Sequence, residues 1–139
     1  MTEAETRAAK HDITEVLVRY ATGIDRRAWD LFRTCFTDDC HADYGDIGVW
    51  QGVDALTEFM VVAHEGAGHT LHGLTNNAIA VDGERAVART YVDAIIMAAD
   101  GRTGLNPRGW YDDELVRTDD GWRIARRRCT MVHFAPLGE

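Results

Sequence analysis

VDGERAVARTYVDAIIMAADGRTGLNPRGWYDDELVRTDDGW, residues 81–122, carries three Asp-Gly pairs, at 82–83, 100–101 and 120–121. Asp-Gly accepts the positive φ angles of tight hairpins, and each pair separates runs rich in β-branched and aromatic residues. The spacing predicts a meander of antiparallel strands over roughly 68–81, 85–99, 105–118 and 122–134. Pro107 has no N–H to give to a ladder, so it is expected at a strand start or on an edge.

Upstream the period changes from two to that of a helix. Ile13, Val16, Leu17, Tyr20, Ala21 and Ile24 fall on one helical face, with Glu15 and Arg19 off it. Asp12 with Glu15 fits a capping box, and the preceding AETRAAK also favours helix. Gly23 weakens the last turn, and Asp25 stands where this helix should stop. A shorter helix is expected through Ala28, Trp29, Leu31, Phe32 and Phe36, closed by Asp38-Asp39, with HADYG (41–45) as a short strand. Residues 52–65 show a third amphipathic helix through Val53, Leu56, Phe59, Met60 and Ala63.

Helices followed by long antiparallel strands predict an α+β fold with the helices on one face of the sheet. A sheet of such long strands in one small domain, residues 1–139, must curl into a cone around them, and an apolar cone is a ready pocket. The outer face of that sheet is left uncovered. Ile95, Ile96 and Met97 cannot all point inward, which predicts a homo-oligomer, a trimer or a dimer.

Composition narrows the function. Acids outnumber bases 23 to 15, a net charge of −8, which argues against nucleic acid and anionic membrane as partners. The first residues are charged and lack the apolar core of a secretory signal, and no apolar run reaches spanning length. Three cysteines, Cys35, Cys40 and Cys129, suit a reducing compartment better than a disulfide framework, so a cytoplasmic location is expected. Cys35, Cys40 and His41 lie close in sequence, but C-x4-C-H matches no common zinc spacing, and no metal is expected. Neither a Gly-rich phosphate cradle nor a nucleophile elbow is present, so no organic cofactor is expected.

What remains is a set of acid–base residues on elements that would line the cone: Tyr20, Asp25, Asp43, Tyr44, His72 and Arg127. Together VRYATGIDRRAWDLFRTCFTDDCHADY (18–44), GHTLHGLTNNAIAV (68–81) and DDGWRIARRR (119–128) resemble the SnoaL-like branch of the nuclear transport factor 2-like superfamily. The nearest likenesses are hexachlorocyclohexane dehydrochlorinase, bile-acid 7α-dehydratase and scytalone dehydratase. D-x-x-x-W followed by F-x-x-D occurs across the superfamily. An Asp in the first helix–helix turn combined with T-x-H-x-x-x-N is sharper, and both are here. The tail HFAPLGE (133–139) also looks like a dehydrochlorinase segment.

The resemblance implies a His–Asp pair, His72 as base and Asp25 as its orienting group, with Tyr20 and Arg127 completing the catalytic set. It also implies Tyr44 in the site, and Asp43 as the rival base of a ketosteroid-isomerase-like reaction. Trp29, Phe59 and Trp110, with Tyr44 and Asp43, are the expected substrate contacts. The second catalytic histidine of scytalone dehydratase has no counterpart in VDAIIMA (92–98). The chemistry asks for the same set. An imidazole has a suitable pKa to take a proton from carbon, a carboxylate fixes its tautomer, a donor serves the leaving group, and a positive charge serves the developing anion.

One detail runs against Arg127. Strict alternation groups Trp122, Ile124, Arg126 and Arg128, so if the first two face the pocket, Arg127 points outward unless a bulge intervenes. His69 is expected on the strand face opposite His72, and His11, His41, His64 and His133 default to the surface or a satisfied interior. The expected activity is a cofactor-independent lyase or isomerase on a small apolar cyclic substrate such as a polyketide, steroid, terpenoid or haloalicycle. Its alternatives are a catalytically silent binding or assembly module, a polyketide-cyclase-like enzyme, and an epoxide hydrolase built on Asp25, Asp93 and Arg89.

Overall fold

All three Asp-Gly pairs turn the chain between strands, with Gly83, Gly101 and Gly121 at φ of 61°, 69° and 99°. The computed structural model describes residues 1–138, so Glu139 lies outside the described residues. Its elements are α1 (Glu3–Asp25), α2 (Trp29–Arg33), β1 (Phe36–Asp43), a 3-10 turn (Gly45–Ile47), β2 (Val49–Gln51), α3 (Val53–Glu65), β3 (Ala67–Asp82), β4 (Arg85–Ala98), β5 (Gly104–Thr118) and β6 (Gly121–Leu137). The sheet order is β2-β1-β6-β5-β4-β3, antiparallel throughout except for β1 against β6. The helices pack on its concave face, giving an open cone of the α+β class. Ile13, Leu17, Phe32, Phe36, Leu56 and Ile124 are fully buried between the two layers.

Three local expectations are corrected. α1 begins ten residues before the apolar stripe, because the strong helix formers of AETRAAK extend it to a capping box at Thr2 and Glu5. Asp12 and Glu15 therefore lie in mid-helix. α2 stops at Arg33, and Phe36, Asp38 and Asp39 belong to β1, where Phe36 pairs with Ile124 of β6. Pro107 is buried in β5, which lies between β4 and β6. It fits there because the β4–β5 ladder skips Ala94–Ile95 against Asn106–Pro107, and the Asn106 side-chain amide donates to the Ala94 carbonyl at 2.5 Å instead.

Gly23 is where α2 docks on α1. A Cβ there would sit 2.9 Å from both the Cα and the N of Phe32, so only glycine lets the helices approach this closely.

β6 decides which residues face the concave side. Leu115 pairs with Ile124 but Glu114 with Arg126, leaving Ala125 as an extra residue; Arg108 pairs with His133 but Gly109 with Met131, leaving Val132 extra. Each bulge reverses the alternation. The inward set therefore runs Trp122, Ile124, then Arg127, Cys129 and Met131, then Phe134. Among the described residues no helix is long and apolar enough to cross a membrane.

Candidate active site

Asp25 is the last residue of α1, a place where the helix dipole disfavours a carboxylate by about 0.3–1 kcal/mol. β3 compensates by crossing this helix end. The His72 backbone N–H donates to Asp25 Oδ2 at 2.9 Å, the Thr70 hydroxyl donates to Oδ1 at 2.9 Å, and His72 Nδ1 donates to Oδ1 at 2.7 Å. Burial raises the Asp25 pKa, but these bonds from His72 and Thr70 outweigh it and hold the carboxyl below its ordinary 3.8. An ionised carboxylate only accepts, so Nδ1 carries a hydrogen, and in the neutral imidazole Nε2 keeps the lone pair.

Arg27 supports this pair from behind, a role the sequence reading did not foresee. It donates to the Ile24 carbonyl at 2.9 Å, the Gly68 carbonyl at 2.7 Å and Thr70 Oγ1 at 2.8 Å. Because arginine cannot accept, the Thr70 hydrogen is directed to Asp25. The backbone of Arg27 has φ 55°, a left-handed conformation that glycine would occupy more cheaply. The strained position keeps a side chain that ties the α1 terminus to β3.

His72 lines a cavity of about 310 Å³ between the helices and the concave sheet, with Asp25 behind it. Val92, Ala94, Ile96 and Pro107 form much of the sheet wall, and Phe59, stacked on Trp50 at 4.0 Å, stands on the α3 side. Tyr20, Tyr44 and Tyr111 are the hydroxyl-bearing residues of the wall. Burial raises all three phenols above their ordinary value, so they stay protonated.

Arg127 faces inward, through the Ala125 bulge, but does not line this cavity. The residue is 1% exposed, its guanidinium held by Asp113 at 2.8 and 2.9 Å and sandwiched between the rings of Tyr20 and Tyr111 at 4.1 and 3.9 Å. Nη1 donates to the Tyr44 hydroxyl at 3.4 Å, and the Tyr44 and Tyr20 oxygens are 2.9 Å apart. With one Tyr44 lone pair taken by Arg127, the Tyr44 hydrogen can pass to Tyr20, and in that arrangement the Tyr20 hydrogen is available to a further acceptor. The expected direct contact of Arg127 with a substrate is corrected: its guanidinium connects to the cavity only by way of the Tyr44 and Tyr20 hydroxyls.

Other expected contacts are not assembled. Asp43 points to the opposite face of β1 from Tyr44 and accepts from the Gly45 N–H at 2.8 Å, so the rival base is outside the cavity. Trp110 lies on the outer face of β5 under Arg89, 5.0 Å from its ring, because Tyr111 takes the inward position. Trp29 packs on Phe32 and on the back of His64 rather than on the cavity. Arg89 pairs with Asp112 and Asp93 with Arg108 and Asn106, both outside, so no aspartate–arginine–aspartate water site forms with Asp25. Cys35, Cys40 and Cys129 are buried free thiols, and burial pushes Cys40 and Cys129 up to about 11. His41 lies on the other strand face from Cys40, bonded to Gln51 at 3.0 Å.

Two polar residues of the cavity, Tyr111 and His64, were not among the expected site residues. His64 lies four residues after Met60, so continuing the apolar stripe of α3 by one step would have placed it on the inner face.

Among solved structures, a Novosphingobium aromaticivorans protein provisionally assigned as an aromatic ring hydroxylase is 27% identical, with TM-score 0.86 over 99% of this chain and 96% of that one. A second protein of that organism, provisionally assigned as a scytalone dehydratase, is 23% identical, with TM-score 0.84 over 91% and 85%. A type 2 hexachlorocyclohexane dehydrochlorinase is 22% identical, with TM-score 0.80 over 95% and 88%. An uncharacterised Mycobacterium tuberculosis protein is 35% identical, the match covering 84% of this chain and 80% of the relative. Residues 5–128 match the SnoaL-like domain, and the chain belongs to that family.

Proposed function

We propose that the protein is a cofactor-independent lyase or isomerase acting on a small apolar cyclic molecule. His72 Nε2 takes a proton from a ring carbon, and Asp25 stabilises the imidazolium that forms. In elimination, the electron pair of the broken C–H bond becomes a C=C bond as hydroxide or halide departs toward the Tyr20 hydroxyl. In isomerisation, the same proton returns to a different carbon. The observation that carries this reading is the 2.7 Å His72–Asp25 pair on the wall of an otherwise largely apolar cavity. The structural likeness to a protein provisionally assigned as a scytalone dehydratase and to a hexachlorocyclohexane dehydrochlorinase supports the reaction class. The protein is further proposed to work as a homotrimer or homodimer in the cytoplasm.

The test is a panel of cyclic ketones, ring alcohols and halogenated alicycles incubated in deuterated water. Deuterium incorporation, alkene formation and halide release are followed for the wild type and for His72→Ala. Turnover of at least one compound, abolished in the variant, is expected. Identical behaviour of the two proteins across the panel would instead leave a binding module.

A further inference from the structure

The geometry points to His64 as a second ligand-binding group of this cavity, a hydrogen-bond acceptor that selects a ring bearing a hydroxyl over its ether or hydrocarbon analogue. The inference rests on the cavity assigned above and narrows its substrate class.

His64 stands in the last turn of α3 and lines the α3 wall, whereas His72 comes from β3. Its Nδ1 lies 2.7 Å from the Met60 carbonyl. A carbonyl can only accept, so Nδ1 carries the hydrogen and a neutral ring must present Nε2 as an acceptor. Burial, followed by the nearby charge of Arg27 and by His72, pushes His64 below its ordinary 6.5, while the Met60 bond and Asp25 oppose this. The ring is therefore neutral at pH 7. Trp29 packs against it with centroids 5.7 Å apart, which limits its rotation.

An acceptor on a largely apolar wall has few partners. His64 is half-buried, and a ring that fills the cavity strips water from its Nε2; leaving that acceptor unpaired then costs about 1–3 kcal/mol, which a ligand that brings an O–H avoids. No tyrosine hydroxyl is bonded to His64, and the Tyr44 and Tyr20 hydroxyls bond each other at 2.9 Å. The cavity thus presents a donor in Tyr20, a base in His72 and a separate acceptor in His64. A ligand that satisfies all three has a leaving group or carbonyl oxygen, an acidic ring C–H and a distinct hydroxyl, as in a phenol, an enol or a ring alcohol.

Binding of naphthol and of naphthol methyl ether distinguishes these groups without any turnover. Titrations use the wild type, His64→Phe, His64→Gln and His72→Phe, with long-range proton–nitrogen NMR of the imidazoles in the wild type. Wild type is expected to prefer naphthol by about tenfold, the worth of one neutral hydrogen bond. The preference should vanish in His64→Phe, persist in part in His64→Gln and persist in His72→Phe, and naphthol should shift the His64 Nε2 resonance. Equal affinities in the wild type, a preference that survives His64→Phe, or a His64 resonance indifferent to naphthol would overturn the assignment. Failure of both probes to bind the wild type would overturn it too. A preference lost only in His72→Phe would move the hydroxyl contact to the dyad. Because the readout is equilibrium binding, His64 can fail while proton abstraction by His72 stands, and the converse also holds.

Discussion

Asp25→Asn keeps the shape of the dyad and reverses one end of its hydrogen bonding. The carboxylate accepts three hydrogens, two on Oδ1 and one on Oδ2. An asparagine has one accepting atom. With that atom in the Oδ1 position, its NH₂ group meets the His72 backbone N–H, donor against donor. With the amide flipped, the backbone bond survives, but NH₂ faces both Thr70 and His72 Nδ1. The imidazole can then adapt by moving its hydrogen to Nε2, which removes the base from the cavity. The Thr70 oxygen can accept from the NH₂, but the Thr70 hydrogen then loses its acceptor. Either arrangement leaves one unmet polar contact, worth about 1–3 kcal/mol of stability. The flipped arrangement saves the backbone bond and gives both NH₂ hydrogens acceptors, and its tautomer change should lower kcat by about 10⁴, the order found where an orienting carboxylate of a catalytic histidine is made an amide. The pH dependence has a fixed sign. The folded Asp25 pKa lies below 3.8, so its stabilisation is complete above that value and is lost as pH falls through the folded pKa. The stability gap between wild type and variant should therefore narrow under acid. Urea unfolding across that range, turnover of a compound from the deuterium panel and the NMR tautomer of His72 read the three effects separately. A variant that keeps hydrogen on His72 Nδ1 and more than a tenth of the rate would refute the orienting role.

Three further outcomes are expected. Arg27→Gly relieves about 1–2 kcal/mol of left-handed strain but loses three hydrogen bonds of about 1 kcal/mol each, so urea unfolding should show a net loss of about 1–2 kcal/mol. Its kcat should drop about tenfold as Thr70 loses its direction, and an unchanged kcat would make Arg27 purely structural. Asp113→Ala strands the buried Arg127 charge and should cost about 3–5 kcal/mol by chemical denaturation; a loss below about 1 kcal/mol would mean that water reaches the guanidinium. Light scattering should give a dimer or trimer, since Val87, Tyr91, Ile95 and Val132 are 54%, 46%, 37% and 64% exposed. Val132→Glu should weaken that assembly, and a wild-type monomer at micromolar concentration would refute it.

How far the sequence can be read depends on whether a signal is local. Asp-Gly turns announce themselves within a few residues, which is why the four long strands are legible almost to their ends. The α1 stripe likewise marks its buried face, although the helix itself starts where propensity, not burial, decides. The candidate site is less legible. His72 and Asp25 emerge only through resemblance, because nothing within either segment says that β3 crosses the end of α1. Arg27 is hidden by its residue type, since a left-handed loop position gives no sequence sign unless glycine or asparagine fills it. Trp29 and Trp110 mislead in the opposite way: an aromatic near the site in sequence carries no mark of which face it takes.

β6 shows why that last uncertainty is physical. Period two assigns each side chain a face only while each residue has one partner across the ladder. An unpaired Ala125 shifts every later side chain to the other face, and an unpaired Val132 shifts them back. Whether Ala125 is extra depends on Glu114 and Leu115 in β5 and on the register of β1, not on WRIARRR itself. Three consecutive arginines can thus include one of the most deeply buried side chains of the protein, between two exposed ones. The neighbours settle which arginine it is. Asp113 is the inward acid of β5, and it pairs with Arg127 across the ladder, whereas Glu114 faces out toward Arg126. Burying Arg126 or Arg128 instead would strand a cation away from Asp113 at a cost of several kcal/mol, so the buried carboxylate and the bulge enforce the same register.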